Sequence, residues 1–333
     1  MQRKQRVALW LVLLIVFLDW MGLGLVYPMF SSMLFHPDCP LLERDASEAL
    51  RGWYLGILLA AMSIAQFLSG PVLGALSDQT GRRPIFLYSL ALGTIGYICC
   101  MTSLLLESLG LLIFSRVLVG AAAGNAAVVS ASIADVSEKE SKAKHFGLYS
   151  MACGIGFTVG PFLGGQLSVY GYAVPFLVSG IATLLNFLLI FFFFRETNMS
   201  TSQEPMRFDQ GIRNLKKAFM TPGLRTLFFA ILVYCFGWSF YYEFLPVSWI
   251  ADYQFDAKQI GFFFAYGAGW YALSAGVLIR PVIQRFPHEA VFFYALCALG
   301  IFLFLMLINT SIVWVWLGLP FSNFFAALLF PTS

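Results

Sequence analysis

Ten long apolar stretches, parted by short polar ones, dominate the chain. They run over about 7–30, 52–76, 85–106, 109–134, 146–169, 173–194, 224–250, 260–279, 290–308 and 312–330. Each meets or approaches the roughly 20 residues that a helix needs to cross a bilayer. Open sheets or loops at that depth would leave backbone groups unpaired in hydrocarbon, so the pattern predicts helices. The expected fold is an all-α integral membrane bundle. The longest polar stretch, Arg195 to Thr221, follows the sixth span, is basic, and carries a Thr-Asn-Met-Ser-Thr-Ser-Gln-Glu-Pro run. It reads as a linker, which divides the chain into a six-helix bundle over 1–194, a linker over 195–222 and a smaller bundle over 223–333. A second polar stretch, Ser31 to Arg51, contains Pro37 and Pro40 and is expected as an outer loop.

Composition sharpens this picture. The chain is 59% hydrophobic and 11% charged, whereas a soluble domain carries about 25% charged residues. Lipid must therefore solvate most of the surface. The net charge of +3 gives no reason to expect a nucleic-acid partner. The positions of the basic residues say more. With the N-terminus inside, sixteen of the 20 Lys and Arg residues fall on the cytoplasmic side. Arg44, Arg51 and Lys258 fall outside and Arg116 lies within a span, which by the positive-inside rule makes the N-terminus cytoplasmic. The first span follows Arg3, Lys4 and Arg6 but is too long for a signal peptide, contains Asp19 and offers no small-residue cleavage site, so it is expected to be retained.

Enzyme chemistry finds no support. Five of the six cysteines lie in apolar runs, and His36, His145 and His288 stand far apart. There is no metal-ligand spacing, nucleophile–base pair or phosphate-binding loop. No cofactor or metal is expected. The expected partners are the lipid bilayer, a small-molecule substrate and protons, with a monomer favoured.

The connection after the second span reads Gly74-Ala75-Leu76-Ser77-Asp78-Gln79-Thr80-Gly81-Arg82-Arg83-Pro84. It is a tight link between two spans, in which Asp78 can accept from a helix N-terminus and Gly74 permits close helix approach. This stretch resembles the cytoplasmic signature loop of the major facilitator superfamily. Asp19, Gly22, Gly24 and Pro28 resemble the first-helix pattern of that superfamily's drug:proton antiporters. Arg116 and Gly120 resemble their intramembrane arginine motif. Gly154, Gly156, Gly160, Pro161, Gly164 and Gly165 resemble their antiporter motif. The runs Ile133-Ala134-Asp135 and His145-Phe146-Gly147 are similar to tetracycline efflux proteins. The resemblance covers residues 7–195 well and the remainder loosely.

It implies export of a drug-like or tetracycline-like molecule in exchange for protons, in a bacterial inner membrane. Gly74, Asp78, Gly81, Arg82 and Arg83 would then gate the cytoplasmic side, and the antiporter motif would control leak through the cavity. An ionisable residue in a span is costly and usually functional. Helix rise places Asp19 about 18 Å above the inner boundary and Arg116 about 10 Å below the outer one. Those depths nearly coincide in a core about 30 Å thick. The two could pair, or the guanidinium could hold Asp19 ionised until substrate intervenes. Asp19 is expected to carry the coupling proton and Arg116 to tune it, with a static ion pair as the plainer alternative.

The glycines at 156, 160 and 164 form a stripe for close packing, and Pro161 permits a kink. Glu243 counts out near the outer boundary, where water is the expected neighbour. Gln66, Asn125, Trp238 and Tyr241 are candidate cavity residues. The two aromatics, with Tyr242, could equally form an interfacial belt, and Gln66, Asn125 and Asn186 could instead bond between helices.

The superfamily pattern has twelve helices rocking about a midplane site. Here ten are expected, with helices 11 and 12 missing after Ser333 and only a faint second signature around Arg280, Pro281 and Arg285. The chain thus reads as C-terminally truncated, either a fragment or a shortened protein that has lost transport. A proton-coupled nutrient importer shares the fold and is the other alternative.

Overall fold

The computed structural model describes residues 3–27, 29–36, 39, 41–138, 140–198, 213, 216–217, 219–221, 225–308 and 311–332. Most of the expected linker, and Pro28, lie outside the described residues. Among those described, regular structure is helical throughout. Ten stretches are long and apolar enough to cross a membrane, from Leu9–Leu34 to Ile312–Leu329. The helices are α1 (Arg3–Val26), α2 (Met29–Leu34), α3 (Glu48–Thr80), α4 (Arg82–Leu105), α5 (Leu109–Ala123), α6 (Ala126–Asp135), α7 (Lys142–Ser168) and α8 (Ala173–Phe193). After the linker come α9 (Arg225–Tyr253), α10 (Ala257–Leu273), α11 (Arg280–Arg285), α12 (His288–Ile308) and α13 (Ile312–Thr332). Large apolar side chains such as Trp53, Tyr88, Phe192 and Phe236 stand exposed on these helices. A water-soluble surface does not carry so extensive an apolar skin, and a lipid-facing one does.

The spans are not uniform rods. The first continues past its break as α2, whose six residues are all buried. Ser31 and Ser32 therefore belong to the span, not to the outer loop expected to begin there. A serine hydroxyl can bond the helix's own carbonyls, so two serines do not end an apolar run. Met29, Phe30, Met33 and Leu34 sit in a bundle core, where Phe30, Met33 and Leu34 join Leu55, Leu58, Leu112 and Phe176. The fourth span is interrupted at Gly124 and Asn125, between α5 and α6. The eighth carries a π-helical turn, Ser274–Leu278. By contrast α7 runs through Pro161 as one helix.

The loop between α2 and α3 is organised by one residue. Ser47 caps α3 by accepting from the Leu50 N–H at 3.3 Å, which places Arg51 in the first helical turn. Arg51 is buried and donates to five backbone carbonyls, those of Leu34, His36, Glu43, Arg44 and Ala46. A loop's carbonyls are costly to bury unpaired. Arg51→Ala is expected to lower stability by about 2–4 kcal/mol and to make the segment between Phe35 and Ser47 the first site of limited proteolysis.

α7 joins the first six spans to the last four. Ideal Cβ atoms on Gly156 and Gly160 would lie 2.6 Å from the carbonyl oxygens of Phe17 and Met21, and one on Gly164 would overlap that of Leu25. Three glycines four apart on α7 thus meet three residues four apart on α1, one face against one face. On α7's next face, an ideal Cβ on Gly165 would lie 2.7 Å from the Ala257 carbonyl oxygen of α10, and one on Gly261 would overlap the Pro161 carbonyl. These α7–α10 contacts gather where α7 ends and α10 begins, the face opposite the N-terminus.

Candidate functional site

A cavity of about 330 Å³ opens among α1, α3, α4, α5, α6 and α7. Three charged residues line it: Asp19, Arg116 and Glu243. Glu243, on α9, is the one lining residue among those described that comes from the last four spans. Gln66 and Asn125 also line it. Gln66 donates to the Ala123 carbonyl at 3.3 Å, and Asn125, at the break between α5 and α6, donates to the Ser89 hydroxyl at 3.3 Å. The break thus lies at the cavity wall.

Asp19 and Arg116 share this cavity but form no ion pair with each other. The Asn186 side-chain amide, fully buried on α8, donates to Asp19 Oδ1 at 2.9 Å and to the Ile15 carbonyl at 3.3 Å. Asn125 approaches the same carboxylate. Arg116, also buried, turns away: its guanidinium lies 4.5 Å from the centroid of the Phe30 ring and Nη2 donates to Met62 Sδ at 2.6 Å. Its Nε has no partner. Equal depth brought the two residues to one level, and competition from Asn186 and Phe30 decided against pairing. An aromatic face attracts a guanidinium by its quadrupole, more strongly when water is excluded.

Glu243 corrects the expectation of an outer-boundary carboxylate in water. It is half-buried on the cavity wall, within electrostatic reach of Arg116. The buried Tyr27 hydroxyl approaches it without closing a hydrogen bond. Trp238 and Tyr241, expected as cavity residues, do not line it. Trp238 stacks on Tyr234 at 6.4 Å, and the Tyr241 hydroxyl faces Met306 Sδ at 3.8 Å. At about 100° per residue, Trp238 and Tyr241 lie about 140° and 160° around α9 from Glu243. One helix cannot present all three to the same space.

At the end of the bundle nearer the N-terminus, Arg82 binds three side chains. It donates to Asp78 Oδ1, to the Ser77 hydroxyl at 2.7 Å and to Asp135 Oδ2 at 3.0 Å. Asp135 ends α6, where the helix dipole disfavours an anion, so the guanidinium offsets that cost. Glu196 completes the cluster. Its carboxylate accepts from the backbone N–H of Arg82 at 2.8 Å and of Arg83 at 3.0 Å, capping α4. The same group accepts from Thr197 and Asn198. Gly81 precedes with φ +102°, and Glu196 occupies the space a Cβ would need. Arg83 donates to the Phe191 carbonyl at 2.6 Å. Gly74 faces Ala127 at ordinary contact distance, with room for a methyl group. Glu196→Ala is expected to cost about 1–2 kcal/mol, measurable as earlier thermal unfolding of the purified chain.

Sequence reasoning missed Glu196 and the bond from Asn186 to Asp19. Glu196 directly follows the sixth span, level with the signature loop, and that shared level was the available signal. In the antiporter motif, Gly156, Gly160 and Gly164 meet α1, Pro161 and Gly165 meet α10, and Gly154 has nothing within 4 Å of an ideal Cβ.

Residues 9–333 match the Major Facilitator Superfamily. The class C tetracycline resistance protein of Escherichia coli is 32% identical over 293 residues, 86% of this chain and 70% of that protein. The class H tetracycline resistance protein of Pasteurella multocida is 32% identical over 187 residues, so this match spans 56% of the chain and 44% of the relative. Among solved structures, the human organic anion transporter MFSD10 (TETRAN) superposes with a TM-score of 0.73 at 23% identity, covering 99% of this chain and 85% of that one.

Proposed function

Because the chain belongs to the major facilitator superfamily, we propose that this multi-pass membrane transporter exports a small drug-like or tetracycline-like molecule in exchange for protons. The observation that carries this reading is Asp19: an intramembrane carboxylate facing a cavity, held by a neutral amide and unpaired with the nearby cation. A carboxylate placed so can take up and release a proton without first breaking an ion pair. Arg116, which lines the same cavity, is the residue assigned to tune it.

Transport proceeds by alternating access between the bundle of residues 1–194 and that of 223–333, joined by the cytoplasmic linker. With the N-terminus cytoplasmic, the α7–α10 contacts lie on the outer side and the Arg82 cluster on the inner one. The outer contacts are reinforced by Tyr27, Phe157, Tyr242 and Phe264, whose ring centroids lie 5.0 to 6.1 Å apart. They close the outer side, and their separation would open it. The chain works as a monomer in a bacterial inner membrane. Energised everted vesicles containing the chain should accumulate tetracycline and lose it when a protonophore is added. Accumulation that survives the protonophore, or none above control vesicles, counts against proton-driven export of this substrate.

A further inference from the structure

Asn186 does more than pack α8 against α1. It is fully buried, and the two hydrogen bonds of its side-chain nitrogen both go to α1. One reaches Asp19 Oδ1 at 2.9 Å and the other the Ile15 carbonyl at 3.3 Å. Those acceptors stand four residues apart, one helical turn, on the same face. The amide oxygen, by contrast, is buried with no hydrogen-bond partner, a costly arrangement. Turning the amide over would not relieve it, because the oxygen would then meet two acceptors. The side chain is thereby fixed as a donor to Asp19. A second pair sets the register. Ser179, seven residues before Asn186 and on the same face of α8, donates to the Gly22 carbonyl at 3.0 Å. Gly22 lies seven residues after Ile15, so the two antiparallel helices are held at two points with Asp19 between them.

The two oxygens of Asp19 are therefore unlike. Oδ2 accepts no hydrogen bond among the described residues, and Asn125, which approaches the carboxylate, donates to Ser89 instead. A proton on Oδ1 would set an O–H against the Asn186 N–H, donor against donor, and lose a bond; a proton on Oδ2 keeps it. We infer that Asn186 is a positioning residue for the proton step: its amide holds Asp19 Oδ1 in both states of the carboxyl group and directs the transported proton to Oδ2. An O–H bond forms at Oδ2 with a proton from the aqueous phase, the charge on the group goes from minus one to zero, and release reverses both. This assignment rests on the reading of Asp19 as the proton carrier. It adds that the proton enters and leaves without a change of partner at Oδ1.

Infrared difference spectra of the purified chain in lipid, acid minus alkaline, test it. The carbonyl band of protonated Asp19 is the one missing from Asp19→Asn. A hydrogen bond accepted by a carbonyl oxygen lowers its stretching frequency. With the proton on Oδ2, Oδ1 is the carbonyl oxygen and accepts from Asn186, so the wild-type band should lie below that of a monomeric carboxylic acid in an apolar solvent. That comparison needs no Asn186 variant. Asn186→Leu should move the band up, and Asn186→Ala should do the same where the leucine variant does not fold. Ser179→Ala, which loosens the same helix pair without touching the amide, should leave it in place. A wild-type band at the free-acid position, a band unmoved in the Asn186 variants, or an equal movement in Ser179→Ala would each overturn the assignment and leave Asp19 a proton carrier. No band lost in Asp19→Asn would overturn the proton-carrier reading and the assignment with it.

Discussion

Asp19→Asn should reduce proton-driven substrate accumulation by on the order of 100-fold while substrate still equilibrates down its own gradient. Asparagine keeps the size of the side chain and removes the titratable group, so binding and rocking survive and the coupling does not. The geometry makes the separation clean. Asp19 is bound through Oδ1 to Asn186 and has no ion pair whose loss would leave Arg116 newly stranded, since Arg116 already rests on Phe30 and Met62. A static structural pair predicts the opposite pattern: lower stability with coupling unimpaired. Counterflow and gradient-driven uptake, measured side by side in the same proteoliposomes, distinguish the two.

Gly160→Leu should abolish transport and destabilise the protein, whereas Gly154→Leu should leave stability within about 0.5 kcal/mol of wild type. The two glycines belong to one motif and are separated by the space around them. A Cβ on Gly160 would stand 2.6 Å from the Met21 carbonyl oxygen and 2.8 Å from Gly24 Cα. Both are backbone atoms, so no rotamer change relieves the overlap and α1 must move off α7. Overpacking of this kind costs about 1–3 kcal/mol or more, and it displaces the helix that carries Asp19. Gly154 has nothing within 4 Å of an ideal Cβ. Thermal unfolding and transport of the two variants check the contrast. Equal damage from both would mean that the motif acts by something other than close approach.

The spans were legible because hydrocarbon imposes one demand, about 20 apolar residues with every backbone group paired. What failed was whatever needed a second coordinate. Depth along the membrane put Asp19 and Arg116 at one level, but depth cannot say which neighbour stands beside each, and Asn186 and Phe30 stood closer. Counting residues placed Glu243 at the outer boundary because it assumed a helix that begins at the inner one. α9 has 29 residues, about 43 Å of helix, more than the roughly 30 Å of hydrocarbon, so counting from its start misplaces its middle. Trp238 and Tyr241 are close to Glu243 in sequence but lie on other faces of α9, and helical phase, not proximity, decides what a helix presents to a cavity. The glycine stripe was visible as a face, while its partner could be found only in three dimensions. Glu196 was hidden because a carboxylate that caps a helix more than a hundred residues away leaves no local pattern.

The most direct test of proton-coupled export follows the proton itself. The purified chain is reconstituted into proteoliposomes with a pH-sensitive dye in the lumen, and substrate is added outside with no pH gradient imposed. The account predicts that substrate entry drives protons outward, so the lumen turns alkaline with wild type and stays flat with Asp19→Asn. Substrate entry with no lumenal pH change, or the same alkalinisation in both proteins, would contradict it.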